Sequence, residues 1–258
     1  MTDLVSGSEL LNDDIRTRIN HSLIFGIRKA LGEKFSLSLL APYITQIEKV
    51  FTAGQVTFDR SIPGISDLVF LGQVNLVQEK KVSLDFGLGI KLPTGSNEVL
   101  RANGVLLAAD LQPGTGSWDF IPSFQFQVKK IFGPFWDYNF FSSFRMTTNA
   151  DRLNGTQKYQ FGNALNIRTG FYRKFFLFEQ FSQAQFLFGI RSSGFDKTNG
   201  FETPNTGGFW INFIPQLSTN FNKEFTIRLF GELPIYRSLS GTQLTTSYRL
   251  GLNLSYSF

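Results

Sequence analysis

The sequence predicts an all-β chain, an antiparallel transmembrane β-barrel of about 12 strands, eleven of them visible as segments. Three observations carry this prediction. Apolar residues recur at every second position through almost the whole chain. The alternating segments are long enough to cross a bilayer, which takes roughly 9–11 residues in a tilted strand. The links between them alternate between short polar turns and longer stretches, as in outer-membrane barrels.

The segment 82–92 shows the first observation most plainly. Val82, Leu84, Phe86, Leu88, Ile90 and Leu92 share one face, and Ser83, Asp85, Gly87, Gly89 and Lys91 the other. A helix would mix these sets around its circumference, whereas a strand separates them. In 118–129, Trp118, Phe120, Phe124, Phe126 and Val128 oppose Asp119, Ser123, Gln125, Gln127 and Lys129. In 136–147, Trp136, Tyr138, Phe140, Phe144 and Met146 oppose Asp137, Asn139, Ser143, Arg145 and Thr147. The last segment sets Leu250, Leu252, Leu254, Tyr256 and Phe258 against Arg249, Gly251, Asn253 and Ser255.

The same reading places strands at 15–29, 34–46, 64–77, 81–92, 117–129, 135–147, 158–172, 180–192, 208–221, 225–237 and 243–258. Short turns fall at 31–33, 78–80, 130–134 and 222–224, and long links at 47–63, 93–116, 148–157 and 193–207. Short periplasmic turns and long outer loops would point the C-terminus to the periplasm. Pro122, Pro215 and Pro234 lie inside strands, where each must remove a ladder hydrogen bond or mark a bulge.

Composition narrows the class. Phe supplies 30 residues, and aromatics favour strands and membrane–water interfaces. No run of 18 apolar residues offers a transmembrane helix. The mean hydropathy of -0.05 fits a barrel, which shows only alternate residues to lipid. A soluble β-sandwich would also alternate, but with shorter strands and without aromatics at both ends of the apolar face. The net charge of +5 is dispersed along the strands, so no nucleic-acid partner is expected. Without cysteine there is no disulfide or thiolate chemistry. Two regions result: a polar segment, 1–14, and a single barrel domain, 15–258. The first 14 residues lack the basic and apolar regions of a signal peptide. A mature or N-terminally incomplete chain is therefore expected, with either a first strand upstream or the polar segment 1–14 covering the seam.

Placing charges away from lipid yields the candidate lumen lining: Arg16, Arg18, Arg28, Asp85, Lys91, Asp119, Asp137, Arg145, Arg168, Arg191, Arg228, Glu232 and Arg249, with Asp67 beside them. An arginine at the bilayer midplane would cost about 2–4 kcal/mol. These charges either pair and plug the lumen or line a pore that leans toward anions. Trp118, Trp136, Tyr138, Tyr159, Phe209 and Tyr256 read as interface aromatics, and Trp210, Phe141, Phe230 and Tyr236 as an apolar path or as lumen filler.

Catalysis finds no set of residues. The single histidine, His21, is followed by Ser22, but neighbours on a strand point to opposite faces and cannot act as base and nucleophile. Scattered carboxylates offer no metal site, and no cofactor is expected.

Three stretches together resemble one family: Gly64-Ile65-Ser66-Asp67-Leu68, then Gly87-Leu88-Gly89-Ile90-Lys91-Leu92-Pro93-Thr94-Gly95, then Gln112-Pro113-Gly114-Thr115-Gly116-Ser117-Trp118-Asp119. Leu39-Leu40-Ala41-Pro42-Tyr43 adds to the likeness. They are similar to the outer-membrane transporter family of the phenol meta-cleavage pathway. The resemblance implies a roughly twelve-stranded barrel passing small hydrophobic or aromatic solutes. The glycines and prolines of these stretches also have a plain role, ending strands and turning the chain at the rim.

The functional expectation is a passive outer-membrane channel for small solutes. The alternative is a structural or partner-binding barrel with a closed lumen, its contact being the apolar run 105–109 in the loop 93–116. Expected partners are outer-membrane lipid, a small solute and the barrel insertion machinery, which would recognise the terminal aromatic Phe258.

Overall fold

The chain builds one long, curled antiparallel sheet, seen here in a computed structural model that describes residues 3–11, 16–52, 55–101, 103–177, 180–222 and 224–257. In chain order the strands are β1 (Asp3–Ser6), β2 (Glu9–Leu11), β3 (Arg16–Leu31), β4 (Phe35–Thr52), β5 (Gln55–Ile65), β6 (Leu68–Gln78) and β7 (Val82–Leu92). A single 3-10 turn, Ala109–Leu111, interrupts the next link. Then come β8 (Asp119–Val128), β9 (Trp136–Thr147), β10 (Ala150–Arg152), β11 (Gln157–Gln160), β12 (Ala164–Leu177) and β13 (Gln180–Ser193). The chain closes with β14 (Lys197–Thr198), β15 (Phe201–Glu202), β16 (Gly208–Asn220), β17 (Phe225–Leu239), β18 (Thr242–Thr245) and β19 (Arg249–Tyr256).

The wall runs β3-β4-β6-β7-β8-β9-β12-β13-β16-β17-β19, a meander in which each strand pairs with its neighbours in sequence. This is the expected antiparallel topology with the eleven visible strands. The sheet curls into a half-barrel, and among the described residues no ladder joins β3 to β19.

Three links hold more structure than expected. The link 47–63 is a hairpin: β4 continues to Thr52, and β5 returns along its outer half, pairing Tyr43 with Ile65. After a break at Ser66 and Asp67, β6 pairs with the inner half of β4. Strands β5 and β6 thus form one broken pass along β4. The links 148–157 and 193–207 build a four-stranded outer sheet, β10-β11-β14-β15. Its two hairpins turn on Asn154-Gly155 and Asn199-Gly200, with positive φ at all four residues (55°, 83°, 52° and 86°). Asn-Gly at both turn centres is the combination that suits a two-residue hairpin turn. Finally, the polar segment is itself a hairpin: β1 pairs with β2 and with β18. The last strand, read as continuous from the sequence, is interrupted between Thr245 and Arg249.

The in-strand prolines behave as their chemistry requires. Pro234 borders the register shift at Ile211/Asn212, and the β16–β17 ladder skips Ile214 and Pro215. The β8–β9 ladder likewise skips Ile121 and Pro122.

One face of the wall is an apolar surface with large side chains standing free: Leu23 57 %, Phe25 62 %, Phe188 47 % and Leu250 75 % exposed. Phe188 and Phe213 meet tilted at 5.7 Å, and Phe124 and Phe140 edge to face at 6.4 Å. An apolar surface of this extent is unsuited to water and matches hydrocarbon. Trp136 and Tyr138 lie toward its short-turn end, where Arg173 stacks over Trp136 at 5.6 Å.

Candidate channel face and its rim latch

The opposite face is polar, and strand register defines it. Asp85 faces Gln125, Gln125 faces Phe141, Phe141 faces Arg168, and Arg168 faces Gly189. Residues directly opposite in a ladder point to the same side. Followed across every ladder, this rule puts Arg16, Arg18, Arg28, Asp85, Lys91, Asp119, Asp137, Arg145, Arg168, Arg191, Arg228, Glu232 and Arg249 on one face. Phe258 lies outside the described residues.

Two aromatic assignments are corrected. The one-residue shift at Ile211/Asn212 turns Tyr236 to the apolar face, where it meets Phe209 at 6.3 Å, so it leaves the apolar path. Tyr159 is no interface aromatic: it is a buried member of the outer sheet, beneath the guanidinium of Arg152 at 5.5 Å. Trp210 stays on the polar face, donating its indole N–H to Thr245 at 3.1 Å.

The most ordered feature of this face is a buried ion cluster at its long-loop end. The Lys91 ammonium lies 3.1 Å from Asp67 and 3.0 Å from Asp119, and it donates to the Thr115 hydroxyl. Asp67 is 2 % exposed and Asp119 1 %. One Asp67 oxygen accepts the Gly95 amide at 3.0 Å. The other accepts the Thr115 amide at 2.9 Å and the Thr115 hydroxyl at 2.6 Å. Ser117, fully buried, donates to Asp119 at 3.1 Å. Carboxylates this deep stand only where positive charge and donors meet them.

The cluster ties both ends of the loop 93–116 to the wall. Its backbones meet so closely that a Cβ on Gly114 would sit 2.3 Å from the Gly95 carbonyl carbon, and Gly116 adopts φ +70° against Asn97. Only glycine fits such an approach. The three stretches that carry the family resemblance therefore converge in one place. Their spacing along the chain gives no hint of this, because Asp67 and Thr115 are brought together by the β6–β7 hairpin and the loop that follows it.

From this latch the loop reaches across the polar face. At its far side, Arg18 donates to Asp110 at 2.6 Å and Gln46 to the Asp110 carbonyl at 3.1 Å. Leu107 and Leu111 are buried against Ile62, with Val99 beside them. Arg152 donates to the Leu107 carbonyl at 2.6 Å. Of the apolar run read as a contact patch, Val105 is exposed, but Leu107 is 1 % exposed and serves the loop's own core. Burial holds the Arg152 guanidinium below its ordinary pKa. Burial, and then the hydrogen bond to Asp196, pushes the Tyr159 hydroxyl up.

Further along the face, charges divide into paired and unpaired. Lys174 meets Asp137 at 2.5 Å, and Arg249 meets Glu232 at 3.0 Å. Asp85 accepts from Asn75 at 2.8 Å. Arg28 donates to Ser36 at 2.9 Å. Arg168, Arg191 and Arg228 have no carboxylate within ion-pair distance among the described residues, and Arg191 lies over the Trp210 ring at 5.0 Å. No group of three metal-ligating side chains occurs among the described residues.

A meandering sheet with one apolar and one charged face, and loops folded over the charged face, belongs to the class of outer-membrane β-barrel proteins. Within that class the chain belongs to the family described as "Putative MetA-pathway of phenol degradation", whose model matches residues 13–233. No curated protein matches the sequence. Among solved structures, the fold is shared with an outer membrane channel from Pseudomonas putida F1, with a TM-score of 0.73 at 12 % identity, over 100 % of this chain and 90 % of that one.

Proposed function

We propose that this protein is an outer-membrane channel through which small solutes diffuse passively, entering beside the latched loop 93–116. The observation that carries this reading is the register: continuous ladders put the arginines and carboxylates on one face and the bare aromatics on the other. The family and the fold of the Pseudomonas putida channel support it. Outer-membrane lipid would contact the apolar face, and the barrel insertion machinery would read the C-terminal strand.

The test is single-channel recording of the folded protein in a planar bilayer under a salt gradient. Discrete steps with a reversal potential leaning toward anions are expected, because the uncompensated charges are arginines. Silence from protein shown to be folded would overturn the channel reading. The second reading, a partner-binding barrel with a closed lumen, draws on the loop's buried Leu107 and Leu111. It predicts that deleting 99–111 creates no new conductance but releases a bound partner.

A further inference from the structure

The polar face of β12, β13, β16 and β17 has an unusual composition. Its carboxylates are already engaged: Asp137, on neighbouring β9, by Lys174, and Glu232 by Arg249 and Asn212. Arg168, Arg191 and Arg228 are left exposed and without a carboxylate partner among the described residues. Each stands next to an aromatic ring on the same face. Arg191 lies over Trp210 at 5.0 Å. Arg168 and Phe141 are direct ladder partners, which puts their Cβ atoms about 4.5–5.5 Å apart. Arg228 and Phe230 are successive same-face residues of β17, roughly 7 Å apart along the strand.

Arg168 and Arg191 also form one station. Arg191 pairs with Asn166, one same-face step from Arg168. The two guanidiniums thus stand side by side on β12 and β13, flanked by Phe141 on β9 and Trp210 on β16. Arg228 and Phe230 form a second station further toward the short turns. A guanidinium stacked on a ring is held flat and still presents its edge N–H groups, the geometry that takes a planar carboxylate bidentately. The rings offer a matching surface for a flat apolar body.

We propose that this wall is a two-station binding track for planar aromatic monocarboxylates, the carboxylate held by Arg168 and Arg191 and the ring lying against Trp210 on one side or Phe141 on the other. The proposal rests on the channel reading and names its solute class. A neutral aromatic would engage the rings alone, and a non-aromatic acid the arginines alone. Only a solute with both features uses the whole station.

The probe is benzoate, compared with cyclohexanecarboxylate and benzyl alcohol, added to the full-length protein in planar bilayers carrying potassium chloride current. Benzoate is expected to interrupt the current at concentrations about tenfold lower than either comparison compound. Arg168→Gln and Arg191→Gln should each raise the benzoate half-block concentration about tenfold, the loss of one charge-assisted hydrogen bond. Trp210→Leu should weaken benzoate block while sparing that by cyclohexanecarboxylate. Equal block by all three compounds, or variants that leave benzoate block unchanged, would overturn the track while the channel stands. If no current is seen, calorimetric titration of benzoate into folded, detergent-solubilised protein decides. Binding lost in Arg168→Gln would keep the track and end the channel reading, and absence of binding would end both.

Discussion

The two halves of the polar face treat charge in opposite ways. From β6 to β9, Lys91, Asp67 and Asp119 are buried and locked to one another and to the loop 93–116. From β12 to β17, Arg168, Arg191 and Arg228 stand exposed beside aromatic rings. The difference lies in what each charge is for. A buried cluster that loses a member strands its partners, so the first half holds shape. An exposed guanidinium can exchange water for a solute, so the second half is free to bind.

This contrast can be broken most forcefully at Lys91. Lys91→Met leaves two buried carboxylates facing each other and should cost about 3–5 kcal/mol, read as a lower denaturant midpoint in reconstituted protein. The loop should then become protease-sensitive. Adding Asp67→Asn and Asp119→Asn should restore much of the loss; if it does not, the cluster is not held by charge. Arg152→Met removes a charged donor from the Leu107 carbonyl, at a cost of about 1.5–3 kcal/mol, detected as faster hydrogen exchange in the loop.

A smaller effect is expected at Tyr159. Its hydroxyl is pushed up in the folded protein, so folding holds a proton that the unfolded chain gives up above about pH 10. The contribution of this group is complete below that pH and declines as pH rises through it. Tyr159→Phe should lose about 1 kcal/mol near neutrality but flatten the alkaline fall in stability, followed by thermal unfolding from pH 8 to 11. The smallest effect on stability belongs to the open half. Arg168→Gln should change the unfolding midpoint by no more than about 0.5 kcal/mol, while altering ion selectivity. A large destabilisation there would mean that the exposed arginines are structural after all.

The strands were legible because period two runs through most of the wall, broken at bulges such as Ile211/Asn212. The hairpin β4–β5 was missed because Lys49, Asp59 and Arg60 crowd it with charge and Pro63 punctuates it. The outer sheet was missed because its strands are two to four residues long, although Asn154-Gly155 and Asn199-Gly200 advertised its turns. Tyr236 was misplaced because one extra residue at a bulge reverses every assignment beyond it. The latch could not be read because its members are separated by a whole hairpin and the loop that follows it. The sequence showed only glycines and acids at strand ends, and the meeting of Gly95 with Gly114 is a property of the folded rim.

The two margins of the sheet have a consequence for how a cylinder could be completed. Antiparallel neighbours alternate in polarity, so after eleven passes β3 and β19 descend in the same sense. Brought side by side they could zip only as a parallel pair, slightly weaker per residue than the rest of the wall. An all-antiparallel closure requires an ascending segment between them. Engineered cysteines at Leu23 and Leu252, in a chain otherwise free of thiols, would tell these closures apart. Ready cross-linking would mean that the margins touch, and its absence in a folded, closed cylinder would mean that a further strand keeps them apart.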